Sequence, residues 1–485
     1  MDGRCAAENA LVGEAETTDA GAMSIRVRYL VAATAGLVGA AAFPPLGWWP
    51  LILVMWPLLF VALRGAGLRH GVYMGLVQGM VFFGVGLSWM DSIFQVAAVV
   101  LWLILALFGM LAGGVIGQAS VRGSRAPWLP LYAALVWSAL EFVRAEVFWL
   151  CFPWQTSGLG LGPTWLSPWI GVYGTGFLVV LAGGMAASGH RRQCLAGAAL
   201  ALILVALGLF RPPPVTETTA PVPVLAVQSE NCDFYGYREL TATRAFSKGI
   251  ILWPEYSTCY DLQNDSKTFE MALSIARDRD STLILGTQKD LGGNAHHNQA
   301  LTLEAAGVVG SHYKNHPVPF LSDGVAGDQA RPVGTRFGKI GTPICFDCDF
   351  TECVRRMTAA GAAAFAVPSM DSARWPARQH LQHAEIFRHR ALENHRWMIV
   401  CATSGLTQLI DPHGNRLTQL PMLKDGVLET SLYLCNDTTF FTRAGWIFPW
   451  AVCGLALLAT PLALWQTRHP PIPARLPYIN TDQSV

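Results

Sequence analysis

Charge is scarce in this sequence. Lysine and arginine number 34 and aspartate and glutamate 33 among 485 residues, 14% in all, against the ~25% usual in soluble globular domains. The net charge of +1 leaves no basic footprint for nucleic acid. Cysteine is present but unpatterned: eleven are scattered over the chain, which excludes the dense disulfide framework of a small secreted domain. Cys345, Cys348 and Cys353 do cluster, yet a zinc site wants a second ligand pair at suitable spacing. His380 and His383 follow only at a distance, and a structural role suits them better. No metal and no cofactor is expected. Residues 1–24 lack any long apolar run, so they read as a disordered cytoplasmic tail and not as a cleavable signal peptide.

What the chain has instead is apolar length. Hydrophobic residues make up 52% of it, with 17 tryptophans. Apolar runs at about 27–43, 48–63, 71–90, 97–116, 128–143, 166–185 and 194–209 approach the ~20 residues of a spanning helix. The second is short and carries Pro57. Arg26/Arg28, Arg64/Arg69, Arg122/Arg125 and Arg191/Arg192 fall before the first run and in every second loop, which predicts a cytoplasmic start and seven crossings over 25–212. An eighth run at 446–466 returns the chain to a cytoplasmic tail at 467–485. Glu141 and Arg144, spaced i, i+3, are expected to neutralise one another, because a lone charge at that depth is expensive.

Between 221 and 435 short β-rich runs alternate with helical periodicity, which predicts an α/β domain outside the membrane. Strands are expected at 222–228, 249–253, 282–286, 300–303, 308–313, 338–344, 363–367 and 398–403, with a hairpin arm at 406–411 turning through Pro412-His413-Gly414-Asn415. Helices are expected at 267–279, 350–360 and 381–396.

Three strand ends carry the chemistry. Trp253-Pro254-Glu255, Tyr313-Lys314-Asn315-His316 and Gly341-Thr342-Pro343-Ile344-Cys345 each close an apolar run with a reactive group. A carboxylate, an ammonium and a thiol at strand ends can share one rigid site, which suits a nucleophile. Singly, each has a bland reading: a surface acid, a solvated lysine, a buried apolar cysteine.

In this order the segments resemble the nitrilase, or carbon–nitrogen hydrolase, superfamily. More narrowly, membrane spans before and after such a domain resemble the apolipoprotein N-acyltransferase family. The membrane part of the resemblance rests on Phe43-Pro44-Pro45, Gly86-Leu87-Ser88-Trp89, and Trp137, Glu141 and Arg144 with Phe152-Pro153-Trp154. In the outer part it also draws on Asn298-Gln299-Ala300, Gln379-His380 and Arg388 to Glu393. It implies a nitrilase-like αββα sandwich inserted between the seventh and eighth helices of a transmembrane bundle. It also implies a triad of Glu255 as base, Lys314 as cationic partner and Cys345 as nucleophile, with Lys314 and the backbone N–H of Phe346 at the oxyanion. The implied reaction passes an acyl chain from a membrane phospholipid through a Cys345 thioester to the N-terminal amine of a diacylglyceryl apolipoprotein. That places the enzyme in a bacterial inner membrane with the catalytic domain on the periplasmic side.

The sequence departs from the family pattern around this core. After Val318-Pro319-Phe320 the family carries a second glutamate, and the matching position here is Ser322; Asp323 takes its place if the loop shifts by one. Phe346 stands where relatives often have tyrosine. Asp347 is either an acid at a helix N-terminus or a supporting acid of the site. Two other readings stay open: a membrane-tethered amidohydrolase with a small-molecule substrate, and a Cys345-x-x-Cys348 redox or metal motif.

Overall fold

The computed structural model describes residues 23–123, 126–209, 220–230 and 233–468. The tails expected at 1–24 and 467–485 lie almost wholly outside these.

Helices stand at all eight apolar runs: Ile25–Ala41, Ile52–Leu63, Gly67–Gly86, Ala97–Gly123, Leu129–Phe142, Ser167–Ala186, Arg191–Leu209 and Ile447–Arg468. Four of them, over Ala97–Val121, Ser167–Ala186, Arg191–Leu209 and Ile447–Gln466, are long and apolar enough to cross a membrane. Glycines let two of these helices approach backbone to backbone. A Cβ on Gly71 or Gly75 would meet the carbonyl oxygens of Gly113 and Gly109 at 2.2 and 2.1 Å, the small-residue packing that joins helices where no hydrophobic force acts between them.

Glu141 and Arg144 act on one another as opposite charges, but without a direct salt bridge. Glu141 accepts from the Ser157 N–H and hydroxyl, both at 2.9 Å, and Arg144 donates to the carbonyls of Phe152 and Trp154 at 2.6 and 3.1 Å. The segment after the helix satisfies each charge separately and is itself held in place by them.

The strands are β1 Val222–Gln228, β2 Ile250–Leu252, β3 Thr282–Gly292, β4 Ala295–Glu304, β5 Gly307–Tyr313, β6 Val333–Thr335, β7 Gly338–Gly341, β8 Ala364–Ser369, β9 Met398–Ala402, β10 Gln408–Ile410, β11 Arg416–Gln419 and β12 Gly426–Leu432. They form two six-stranded sheets, ordered β12-β1-β2-β3-β4-β5 and β11-β10-β9-β8-β7-β6. Alternation along β1 explains the layering. Val224 and Ala226 pack inward with Ile340, Ala366 and Ile399 of the other sheet. Leu225 and Val227 face outward with Phe234 and Ala272 of the helices Phe234–Ala242 and Ser266–Asp278. Phe365 and Val400 face the helices Thr351–Ala359 and Ala377–Asn394 on the far side. Strands buried on both faces read as continuous apolar runs, and the outcome is the αββα sandwich. It lies in the chain between the helices Arg191–Leu209 and Ile447–Arg468.

Polar contacts tie the sandwich to the helical part. Gln382 accepts from Trp89 Nε1 at 3.0 Å and donates to the carbonyls of Pro44 and Gly86, both at 2.9 Å. Glu146 accepts from the N–H and hydroxyl of Thr351 at 3.0 and 2.9 Å.

Candidate active site

The three strand ends converge. Glu255 follows β2, Lys314 follows β5, and Cys345 opens a 3-10 turn, Cys345–Cys348, just past β7. The strand expected to run to Ile344 stops at Gly341, and Cys345 takes a left-handed backbone, φ 48°. A non-glycine residue there costs about 1–3 kcal/mol, a strain that clusters at functional sites.

Lys314 Nζ donates to Glu255 Oε1 at 2.7 Å and to Asp323 Oδ2 at 2.6 Å. Asn298, on β4, donates its amide to the same two carboxylates at 2.6 and 2.8 Å. Glu255 and Lys314 are each 1% exposed. The second glutamate oxygen, Oε2, is buried without a protein partner, which leaves one lone-pair face for an incoming proton. Cys345 Sγ lies 3.5 Å from the Met370 carbonyl.

Asp323, not Ser322, supplies the loop carboxylate: Asp323 is buried and Ser322 exposed, and Asp323 also accepts from the Val318 N–H at 2.7 Å. Asp347 does not cap a following helix. It is buried and accepts from the N–H groups of Ile344, Asn315 and His316 at 3.0, 2.9 and 2.9 Å, with His312 Nε2 at 2.9 Å. It therefore ties the cysteine turn to the segment carrying Lys314. Burial works against its ionised form, but His312 and His316 overcome that and hold its carboxyl below the usual range.

Burial, joined by the Glu255 charge, pushes the Cys345 thiol well up, and Lys314, which favours the thiolate, does not offset them. Burial also raises the Glu255 carboxyl, against Lys314 and Asn298. Burial disfavours the Lys314 ammonium, yet Glu255 and Asp323 more than offset it, and the group stays protonated. The thiol thus rests protonated, with Glu255 and Lys314 the charged groups that act on it most. Phe346 N–H, in the first turn after Cys345, has no intrahelical acceptor.

Cys345 opens on a cleft. Its wall is apolar and comes from both parts of the chain: Met90, Phe94 and Leu105 face Val318, Phe320 and Phe346. Among the described residues one trio, His312, Asp347 and Cys353, brings ligand-type atoms within 4.8 Å of one another. The Asp347 oxygens there are already taken by backbone donors. The grouping of Cys345, Cys348 and Cys353 with His380 and His383 does not assemble as a ligand set; His380 Nε2 sits 3.0 Å from the Ser372 carbonyl.

Sequence reasoning gave no role to Asn298, although it lies on the strand beside Lys314. It also missed a buried charge cluster on the cleft wall. His383 Nδ1 lies 2.8 Å from Asp371 Oδ1 and its Nε2 3.3 Å from Asp349 Oδ1. Its ring stacks on Trp154 at 5.7 Å, and Trp154 Nε1 donates to Asp349. Burial opposes the imidazolium, but Asp371 and Asp349 push His383 up to about 10.

Known proteins resemble both parts. Residues 35–185 match the apolipoprotein N-acyltransferase N-terminal domain, and residues 224–435 match carbon-nitrogen hydrolase. Apolipoprotein N-acyltransferase of Geobacter metallireducens is 25% identical over 89% of this chain and 94% of its own. That of Pseudomonas paraeruginosa is 27% identical over 90% and 95%. Among solved structures, the carbon-nitrogen hydrolase of Helicobacter pylori G27 aligns over 44% of this chain and 90% of its own, at 18% identity and a TM-score of 0.38.

Proposed function

From the membership of this chain in the apolipoprotein N-acyltransferase family, we propose that it moves an acyl chain from a membrane phospholipid to the N-terminal amine of a diacylglyceryl apolipoprotein, by way of a thioester on Cys345. The observation that carries this reading is the placement of Cys345. It sits on an apolar cleft built jointly by membrane helices and sandwich, with Glu255 and Lys314 behind it. A largely apolar wall of this kind accommodates acyl chains.

In the first step Cys345 Sγ attacks the ester carbonyl while Glu255 Oε2 takes the thiol proton. The lysophospholipid alkoxide leaves with that proton. In the second step the acceptor amine attacks the thioester carbonyl and gives a proton to Glu255. The amide forms, and the thiolate leaves and recovers that proton. Lys314 and the Phe346 N–H stabilise the oxyanion in both steps. Asp323 and Asn298 hold Lys314 and Glu255 in register. The site uses no metal or cofactor in this scheme.

The proposed location is the bacterial inner membrane, with the sandwich on the periplasmic side. One end of the bundle groups basic residues: Arg28 donates to the Arg64 carbonyl at 2.6 Å, and Gly189, next to the Arg191/Arg192 pair, packs on the Arg64 guanidinium. The sandwich joins the bundle through Pro44, Gly86 and Trp89, at or just past the far ends of the helices Ile25–Ala41, which carries Arg28, and Gly67–Gly86, which starts just after Arg64. This supports a cytoplasmic basic end.

The test is intact-mass analysis after incubation with phospholipid alone. The expected result is one acyl adduct, mapped to Cys345, that is discharged by an amine-bearing diacylglyceryl peptide. Amide product from a Cys345→Ala variant would overturn the reading.

A further inference from the structure

Cys345 donates to a single backbone acceptor, the Met370 carbonyl, at 3.5 Å. The next residue, Asp371, carries a buried carboxylate on the same cleft wall, and its charge acts on the Cys345 thiol. Asp371 is held from several directions. Its N–H donates to Thr403 Oγ1 at 3.2 Å, and its carbonyl accepts from that hydroxyl at 3.0 Å. Its carboxylate accepts from Gln379 Nε2 at 2.9 Å and from His383 Nδ1 at 2.8 Å.

His383 is the cation bonded to Asp371, and His380 also acts on that carboxylate. From the segment before the helix Thr351–Ala359, His383 faces Asp349; from the loop after β8 it faces Asp371; from the membrane part it faces the Trp154 ring. On its own helix lie Phe387, at 4.7 Å between rings, and His380. Cys345 in turn faces Glu255, Lys314 and Asp371.

We infer that His383 is a positioning residue for the nucleophile: shared by Asp349 and Asp371, it fixes the Met370–Asp371 segment after β8 that receives the Cys345 thiol and neutralises a carboxylate that acts on that thiol. The inference rests on Cys345 being the reactive thiol. A buried carboxylate beside a thiol opposes thiolate formation, and a fixed cation on that carboxylate cancels the effect. Through Trp154, which stacks on His383 and binds Asp349, the same cluster reaches the membrane segment that lines the cleft. The position of an acyl chain against that segment and the reactivity of the sulfur thus share one support.

The test reads Cys345 itself. Full-length protein in lipid nanodiscs is alkylated with iodoacetamide across a pH series, and the Cys345 peptide is quantified by mass spectrometry. His383→Gln keeps a hydrogen-bonding side chain but removes the charge. It is expected to move the alkylation midpoint up by about one pH unit, a tenfold slower reaction at a fixed pH on the rising limb. Asp371→Asn combined with His383→Gln removes both charges and should leave the midpoint at or below that of the unmodified protein. A His383→Gln midpoint that does not move overturns the inference. So does a double variant whose midpoint rises, since a packing defect alone would act whether or not the carboxylate is present. Should His383→Gln fail to fold, the double variant decides by itself. Failure of the acyl-transfer reading would show separately, as absence of the acyl adduct on Cys345.

Discussion

Asp323 Oδ2 accepts from Lys314 Nζ at 2.6 Å, slightly closer than the 2.7 Å contact of Lys314 with Glu255. The buried ammonium is therefore shared by two carboxylates, one from the end of β2 and one from the loop after β5.

Removing that second carboxylate isolates a buried charge. Asp323→Asn is expected to cost about 3 kcal/mol at the Lys314 site, read as roughly a hundredfold slower acylation of Cys345. Ser322→Glu, at an exposed position, should leave the rate within about twofold, as for surface changes away from a site, and should not rescue Asp323→Asn. Full recovery in the double variant would mean that the loop can adopt the other register.

Cys348 is wholly buried and packs with Val354, Met357, Phe365 and Phe387. Burial, with Asp347 and Asp349 nearby, pushes its thiol well up, so it is inert at neutral pH. Cys348→Ala should cost about 1 kcal/mol of stability, the scale of a small core truncation, and leave the acylation rate intact. Complete loss of acylation in a folded variant would restore the paired-cysteine reading.

What was legible in the sequence was set by local signals. Glu255, Lys314 and Cys345 close apolar runs, and a strand end delivers its side chain to one edge of a sheet whatever the loops do. The eight apolar runs were visible for the same reason. Contacts decided by competition among distant groups were not. Glu141 and Arg144 have the spacing of a helical pair, but Ser157, Phe152 and Trp154 bond them individually, and no periodicity encodes that choice. Asp323 reaches Lys314 because the loop turns through a left-handed Phe320, φ 67°. The cluster of Asp349, His383 and Asp371 draws on three segments whose meeting only the packed sandwich determines.

Gln382 makes three hydrogen bonds across the junction of sandwich and bundle, to Trp89, Pro44 and Gly86. Gln382→Leu leaves their donor and acceptors buried and unmatched. It is expected to lower stability by about 2–3 kcal/mol, measured by thermal unfolding in detergent. If the junction is what holds the cleft closed, acylation by long-chain phospholipid should fall more than alkylation by iodoacetamide. Equal losses in both would assign Gln382 to the stability of the sandwich alone.

Asp347 offers a test with a defined pH signature. His312, His316 and three backbone N–H groups favour its ionised form, and the folded protein holds its carboxyl below the unfolded value of about 3.9. A depressed folded value contributes stability that is fully present above the unfolded value and is lost as the pH falls toward the folded one. Asp347→Asn should therefore be less stable than the unmodified protein by about 1–3 kcal/mol at pH 7, the scale of hydrogen bonds to a charged group. The gap should hold down to about pH 4 and shrink steadily in more acid solution. Unfolding midpoints of both proteins in one detergent, taken from pH 7 to pH 2.5 or so, measure the gap directly. A gap that stays constant across the acid range would show that Asp347 stabilises the cysteine turn by shape and not by charge, and would remove the electrostatic link between that turn and the segment carrying Lys314.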